Sequence, residues 1–134
     1  MKNKIFIFDL DDTLYKEIDF LYSAYREIAG WIELKFSLKG IYAFMLETYK
    51  EQADVFSRLI DTYDLSLTKA DLLSIYRSHR PNIRLELDTL KALEVLKQDF
   101  ILGMITDGRS ITQRNKFQAL GLEQFIENEN LVIS

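Results

Sequence analysis

The spacing of apolar residues divides the chain into a short strand, a long helical block and a region of alternating helices and strands. Ile5 to Phe8 form a short apolar run that stops at a cluster of acidic residues, as in a strand buried on both faces of a parallel sheet. From Glu17 to about Arg80, turn residues are scarce and apolar residues recur three and four positions apart. This spacing predicts helices.

Two glycines and a capping pattern subdivide the helical block. Gly30 and Gly40 weaken a helix, so they predict a kink and a break, with one helix near residues 17–37. Thr68 followed three residues later by Asp71 has the pattern of a capping box. The last helix of the block is therefore expected to begin there.

Helices and strands alternate in the rest of the chain. The pattern predicts a helix over residues 88–98 and a strand over residues 100–105. A further helix is expected from about Arg109, ended by Gly121 in a left-handed conformation, before a last strand at residues 131–133.

This order of elements predicts the fold class and the domains. Strands that alternate with helices form a parallel sheet, so the chain is predicted to be an α/β protein. Residues 1–16 and 82–134 would form the α/β core, and residues 17–81 a helical insertion between the first two strands.

Composition and charge exclude several classes of function. With 134 residues, 48% of them hydrophobic, the chain can bury the core of one small domain. The net charge of -4 gives no electrostatic reason to bind nucleic acid or an anionic membrane, so a small metabolite is the expected partner. The absence of cysteine excludes disulfides, thiolate nucleophiles and cysteine zinc sites. Neither a signal sequence nor a membrane-spanning run is evident, which predicts a cytoplasmic protein.

Two aspartates follow the first strand and suggest phosphoryl-transfer chemistry. Asp9 and Asp11 lie at the carboxyl edge of the predicted sheet, where open α/β sheets bind ligands. One carboxylate can attack phosphorus, while the other exchanges protons with the leaving group and with water. Asp9 suits the first role and Asp11 the second. Such chemistry requires a hard divalent cation such as Mg²⁺ to screen the repulsion between anions.

The acidic segment has two other possible interpretations. An isolated pair of aspartates is more often a solvated turn at the end of a strand. A calcium-binding EF-hand loop would need a third oxygen ligand at Thr13, glycine at Leu14 and glutamate at Phe20, so the segment fails at three positions.

A second motif, Thr106-Asp107-Gly108, follows the next predicted strand. It offers a hydroxyl group and free backbone N–H groups at the start of a helix, which together could seat a phosphate. Alone, such a tripeptide is usually a turn. Neighbouring parallel strands, however, would bring Asp9 and Thr106 to the same sheet edge.

Together the two motifs resemble those of a known family. The segment FDLDDTLY is similar to the first signature of haloacid-dehalogenase-like hydrolases, and ITDG is similar to the second. The resemblance implies a Rossmann-like core and identifies the helical insertion as the family's type-one cap, which selects the substrate. The second aspartate of the first signature implies phosphate esters rather than haloacids as substrates.

The resemblance also assigns roles to residues. Asp9 would be the nucleophile and a metal ligand, and Asp11 the acid/base that binds the metal through its carbonyl. The phosphoryl group would be held by the second motif, and Thr13 would support the loop. The implied protein is a Mg²⁺-dependent phosphatase of a small phosphate monoester.

Only the first two of the family's four signatures occur in this chain. The family's third is a lysine and its fourth an acidic pair. Lys116 is a poor substitute, since its Cα would lie roughly 10 Å from the phosphate seat, and Lys97 would lie at the opposite end of the sheet. We therefore expect the chain to be a C-terminally truncated fragment of a longer hydrolase. Ile5 to Phe8 would then form an exposed edge, which a domain-swapped or edge-paired homodimer would cover.

Two other functions stay open at this point. A non-catalytic remnant would keep the fold and a phosphate or metal site without turnover. A receiver domain would need its phosphoacceptor in a strand near the middle of the chain, where Asp54 instead lies in a helical pattern.

A histidine, an arginine and several aromatic residues indicate function less clearly than the two motifs do. His79 is expected to be exposed and without a role, and Arg109 either reaches an anionic substrate or faces water. Aromatic residues of the helical block more often form its core than a substrate pocket; they are Tyr22, Tyr25, Trp31, Phe36, Tyr42, Phe44 and Tyr49.

Overall fold

A computed structural model describes residues 3–134 and contains three strands joined by helices. The strands are β1 (Ile5–Phe8), β2 (Ile101–Thr106) and β3 (Leu131–Ile133). The helices are α1 (Glu17–Phe36), α2 (Ile41–Lys50), α3 (Val55–Tyr63), α4 (Lys69–Ser78), α5 (Leu87–Asp99) and α6 (Ser110–Ala119). Two short 3₁₀ segments, Leu122–Gln124 and Asn128–Asn130, connect α6 to β3. The predicted order of elements is confirmed.

The strands form one parallel sheet in the order β1-β2-β3. Phe8 at the end of β1 is paired with Met104, and Thr106 at the end of β2 is paired with Ile133. The carboxyl ends of the strands therefore meet at one edge of the sheet. The predicted α/β class and the parallel sheet are confirmed.

Strand β1 lies at the edge of the sheet, as the missing signatures suggested. Its Ile5 and Ile7 side chains are 59% and 54% exposed. Phe6, which points to the opposite face, is 40% exposed. The expectation of a strand buried on both faces is therefore wrong, and within the described residues only β2 flanks β1.

The two faces of the sheet differ in exposure. On β2, Leu102, Met104 and Thr106 point to one face and are at most 2% exposed, while Ile101 and Ile105 point to the other face and are exposed. The register places Ile5 opposite Ile101 on that second face. Helix α5, whose Leu93 is buried, packs on β2.

The chain separates into two compact units. One contains the residues up to Leu21 together with Arg80–Ser134, and the other, here called the helical unit, contains Tyr22–His79. The first turns of α1 belong to the first unit, because Phe20 is buried there with its ring next to the Lys116 ammonium group.

The helical unit has an apolar core contributed by all its helices. Its fully buried side chains include Ile28, Ile32, Ile41, Met45, Leu59 and Leu72. Among the aromatic residues expected in this core, Tyr25 is buried, whereas Tyr22, Trp31 and Tyr49 are each more than a third exposed. The core interpretation is thus wrong for these three, whose rings lie at the rim of the unit.

Local signals in the helical unit have mixed outcomes. The predicted capping box of Thr68 and Asp71 is present at the start of α4. Gly40 has a left-handed conformation and separates α1 from α2. Gly30 lies within α1, which continues through it as one helix.

His79 is not exposed as expected. It is 7% exposed, with Nε2 2.6 Å from Ser23 Oγ and Nδ1 2.6 Å from Glu27 Oε2. Because Ser23 and Glu27 are one helical turn apart on α1, both can reach the imidazole at the end of α4. The histidine therefore ties these two helices together.

Candidate active site

The loop after β1 exposes Asp9 to solvent. Asp9 is exposed, and its Oδ1 accepts a hydrogen bond of 2.8 Å from the N–H of Leu10. Leu10 is fully buried, and its carbonyl accepts hydrogen bonds from the N–H groups of Thr13 and Leu14. The buried leucine thus anchors a tight turn that leaves the Asp9 carboxylate accessible.

The neighbouring residue Asp12 binds the first turn of α1. Its φ of 57° is left-handed, a conformation that aspartate tolerates better than most residues. Its carboxylate accepts the N–H of Glu17, the first residue of α1, at 2.9 Å. Asp12 therefore holds the start of the helix.

Asp11 is held by three donors. Its Oδ1 accepts hydrogen bonds of 2.8 Å from both the Tyr15 hydroxyl and the Lys116 ammonium group, and its Oδ2 accepts one of 3.0 Å from the Gln113 amide. Burial tends to raise the pKa of the Asp11 carboxyl, but these bonds, led by that of Lys116, outweigh burial and lower the pKa. The Asp11 carboxylate is therefore ionised at neutral pH.

Gln113 connects the two predicted motifs. Its Nε2 donates to Asp11 Oδ2 at 3.0 Å and to Thr106 Oγ1 at 2.7 Å. Gln113 and Thr106 are each 2% exposed. Asp11 and Thr106, 95 residues apart in sequence, are thus joined through one buried amide.

Sequence reasoning set Lys116 aside as a substitute for the family's lysine and did not predict its contact with Asp11. The structure places its Nζ 2.8 Å from Asp11 Oδ1 and leaves its side chain 5% exposed. The roughly 10 Å expected from the helix rise refers to the Cα of Lys116, and the lysine side chain extends beyond it. Gln113 was missed altogether, although its spacing of three from Lys116 predicts that both lie on one face of α6.

The groups of the second motif already have partners. The N–H of Gly108 donates to the Ser134 carbonyl at 3.3 Å, so the expectation of a free N–H at this position is wrong. Asp107 accepts a hydrogen bond from the Ser134 hydroxyl. Thr106 accepts from Gln113, which leaves its own hydroxyl proton to be donated to a ligand.

Metal binding at this edge would rely on few protein ligands. Among residues 3–134, no group of three or more His, Cys, Asp or Glu side chains is arranged to hold a metal ion. Mg²⁺ commonly uses one or two carboxylates and completes its shell with water and phosphate oxygens. The accessible Asp9 carboxylate fits that mode, whereas the Asp11 carboxylate is engaged by Lys116.

The arrangement provides two carboxylates of different character. Asp9 is exposed, and within the described part of the chain its side chain accepts one hydrogen bond, from the N–H of Leu10 to Oδ1, so Oδ2 can attack an electrophile. Asp11 is ionised and fixed in orientation, so in this state it can accept a proton but has none to donate.

The comparison with known families agrees with this geometry. Residues 6–129 match the family of haloacid dehalogenase-like hydrolases. The chain belongs to this family. As a haloacid dehalogenase-like hydrolase, it places both matching motifs at the carboxyl ends of adjacent parallel strands.

The sequence identity between this chain and individual relatives is low. The chain is 27% identical to the glyceraldehyde 3-phosphate phosphatase of Methanocaldococcus jannaschii, in an alignment that covers 91% of this chain and 59% of the relative. This hydrolase chain thus spans less than two thirds of that protein.

Two solved structures share the fold. The HAD-hydrolase YfnB from Bacillus subtilis has a TM-score of 0.63 and 22% identity, with 100% of this chain and 64% of that chain covered. A haloacid dehalogenase-like hydrolase from Xanthomonas campestris has a TM-score of 0.54 and 16% identity, with 98% and 61% covered. At these identities the likeness shows the fold alone.

Within residues 3–134, no helix is long and apolar enough to cross a membrane.

Proposed function

We propose that this hydrolase is a Mg²⁺-dependent phosphatase of small phosphate monoesters that forms a phospho-aspartyl intermediate on Asp9. The observation that carries the proposal is the Gln113 amide, which joins Asp11 of the first motif to Thr106 of the second. A nucleophile and a phosphate seat have to lie together, and this bond holds their loops at one sheet edge.

The proposed chemistry has two steps. The exposed Asp9 carboxylate attacks phosphorus, the P–O bond to the alcohol breaks, and the leaving oxygen takes the proton of the Asp11 carboxyl, which is left ionised. Water then attacks the phosphoryl group, Asp11 takes a proton from that water, and Asp9 is released together with inorganic phosphate. The ionised state of Asp11 suits this second step, whereas proton donation in the first step requires its carboxyl to be protonated.

The metal would be held by the Asp9 carboxylate and the main-chain carbonyl of Asp11. When bound, Mg²⁺ would neutralise charge on the phosphoryl oxygens. The similar YfnB structure is described as bound to magnesium, which supports this choice of cation. Thr106 would donate its hydroxyl proton to the phosphoryl group, with Asp107 and Gly108 completing the seat and Thr13 supporting the first loop.

The substrate is proposed to be a small phosphorylated metabolite. The relative from Methanocaldococcus jannaschii is named for a three-carbon sugar phosphate, which supports a substrate of this class. The helical unit, Tyr22–His79, would act as the cap that selects it.

A second function is a protein that binds phosphate without turnover. One observation favours it: within residues 3–134, no group of three or more His, Cys, Asp or Glu side chains is arranged to hold a metal ion. Such a protein would bind inorganic phosphate yet release none from an ester.

Phosphate release from an aryl phosphate, with and without Mg²⁺, tests both functions. Asp9→Asn should abolish turnover, because an amide oxygen is a poor nucleophile. Asp12→Asn is the matched control, since asparagine tolerates the left-handed φ of this position and Asp12 serves only to hold α1.

The outcomes separate the two functions. Turnover that needs both Asp9 and Mg²⁺ supports the phosphatase. Binding of inorganic phosphate without turnover supports the second function. Turnover that survives Asp9→Asn contradicts the proposed mechanism.

A further inference from the structure

One buried cation, Lys116, lies at the candidate active site without a role in the chemistry proposed above. Its side chain is 5% exposed, whereas that of its partner Asp11 is 23% exposed. The ammonium group also lies 4.9 Å from the centre of the Phe20 ring and 5.8 Å from that of Tyr15. These rings and Asp11 fix the position of the cation.

We propose that Lys116 is a positioning residue that neutralises and orients Asp11, so that an anionic phosphate ester can approach Asp9. This proposal rests on the proposed phosphatase function and adds to it the source of positive charge within the chain. Two carboxylates at one sheet edge repel a phosphate ester, and a cation paired with one of them removes part of that repulsion.

The hydrogen bonds explain how the orientation is set. Lys116 and Tyr15 both donate to Oδ1 of Asp11, and Gln113 donates to Oδ2. Donors on both oxygens fix the plane of the carboxylate. Because Lys116 and Gln113 lie on the same helix, α6, the carboxylate is held relative to Thr106, to which Gln113 is also bonded.

Two other basic residues of the same unit, Lys97 and Arg114, bind elsewhere. Lys97 donates to the Gln124 carbonyl, and Arg114 donates to Ser110 and Asn128. Within the described chain, the ion pair that Asp11 makes is with Lys116. A buried ammonium group that lost Asp11 would be costly, so the pair is expected to persist.

The test measures affinity for inorganic phosphate by isothermal titration calorimetry, which needs no turnover. Lys116→Met removes the charge and keeps a similar length and volume, leaving Asp11 uncompensated. We expect phosphate to bind roughly tenfold more weakly, the effect of one unscreened charge on the order of 10 Å away at an effective dielectric constant near 20. Lys116→Arg should keep most of the affinity.

The double variant Asp11→Asn, Lys116→Met separates electrostatics from structure. With no carboxylate left to compensate, it should recover the affinity that Lys116→Met loses. Lys97→Met is the matched control, because Lys97 also makes a hydrogen bond and lies 5.8 Å from an aromatic ring centre, but forms no ion pair among residues 3–134. It should bind phosphate like the unaltered protein.

Each outcome decides the proposal. If the unaltered protein does not bind phosphate, both the proposed function and the role of Lys116 are wrong. If it binds but Lys116→Met binds equally well, only the role of Lys116 is wrong. If Lys116→Met does not fold, Asp11→Asn alone is measured against the double variant: tighter binding by Asp11→Asn supports the positive contribution of Lys116, and equal binding contradicts it. A double variant as weak as Lys116→Met indicates a purely structural role and also overturns the proposal.

Discussion

Replacement of Gln113 by methionine should destabilise the protein by breaking the link between its two motifs. Methionine has a similar length and flexibility but cannot donate a hydrogen bond. The variant loses the 3.0 Å bond to Asp11 and the 2.7 Å bond to Thr106, while the apolar contacts of the side-chain carbons are largely kept.

The expected loss follows from these two bonds. A hydrogen bond to a charged group contributes about 1.5–3 kcal/mol, and one between neutral groups contributes about 1 kcal/mol. Asp11 keeps Lys116 and Tyr15 as donors, which limits the loss on that side. We expect the free energy of unfolding to fall by about 2–4 kcal/mol.

The measurement is urea-induced unfolding followed by far-ultraviolet circular dichroism. Gln118→Met is the matched control, because Gln118 lies on the same helix but is exposed, so its free energy of unfolding should change by less than about 0.5 kcal/mol. If Gln113→Met is destabilised no more than Gln118→Met, the hydrogen-bonded link does not stabilise the protein and the reasoning is refuted.

Two further substitutions test local structure. Asp54→Ala removes the N-cap of α3 and should cost about 1 kcal/mol at pH 7. Hydrogen bonds, led by that from Lys69, lower the pKa of Asp54 from its ordinary value of 3.8. The Asp54 carboxylate therefore stabilises the folded protein at pH values above 3.8, and this stabilisation is lost as the pH falls through the lowered pKa of the folded state. In denaturant unfolding, the free energy of unfolding of Asp54→Ala should therefore approach that of the unaltered protein below about pH 4. A difference between the two free energies that stays constant down to about pH 2.5 would contradict this. Gly108→Ala should cost about 1–3 kcal/mol in thermal unfolding, because φ is 138° and the new Cβ would lie 3.1 Å from carbons of Gln113. Gly30→Ala, with nothing within 4 Å of its Cβ, should instead stabilise the protein, and equal effects at the two glycines would contradict the steric reasoning.

Hydrophobic periodicity predicted the fold well because each element has a local signal. The four apolar residues of β1, the long stripe of α1 and the capping box of α4 are properties of neighbouring residues. Exposure was harder to predict, since it depends on which elements pack beside a residue. His79 was expected in solvent, yet Ser23 and Glu27, more than fifty residues earlier in the chain, enclose it.

The candidate site shows the same division. Its motif residues, Asp9, Asp11 and Thr106, stand directly after strands, so the parallel sheet was enough to predict that they meet at one edge. The residues that hold Asp11 do not belong to either motif. Gln113 and Lys116 become visible only when α6 is placed beside the first loop, and their side chains reach distances that a count of Cα positions does not give.

The sequence by itself determined the order of elements, the α/β class and the two motifs that indicate phosphoryl chemistry, because these depend on local periodicity and on residue type. Only the tertiary structure decided that Lys116 pairs with Asp11, that Gln113 joins the two motifs, and that Gly108 donates its N–H within the chain. Ion pairs and hydrogen bonds between distant residues form wherever packing brings donors and acceptors within about 3 Å, a condition that local sequence does not encode.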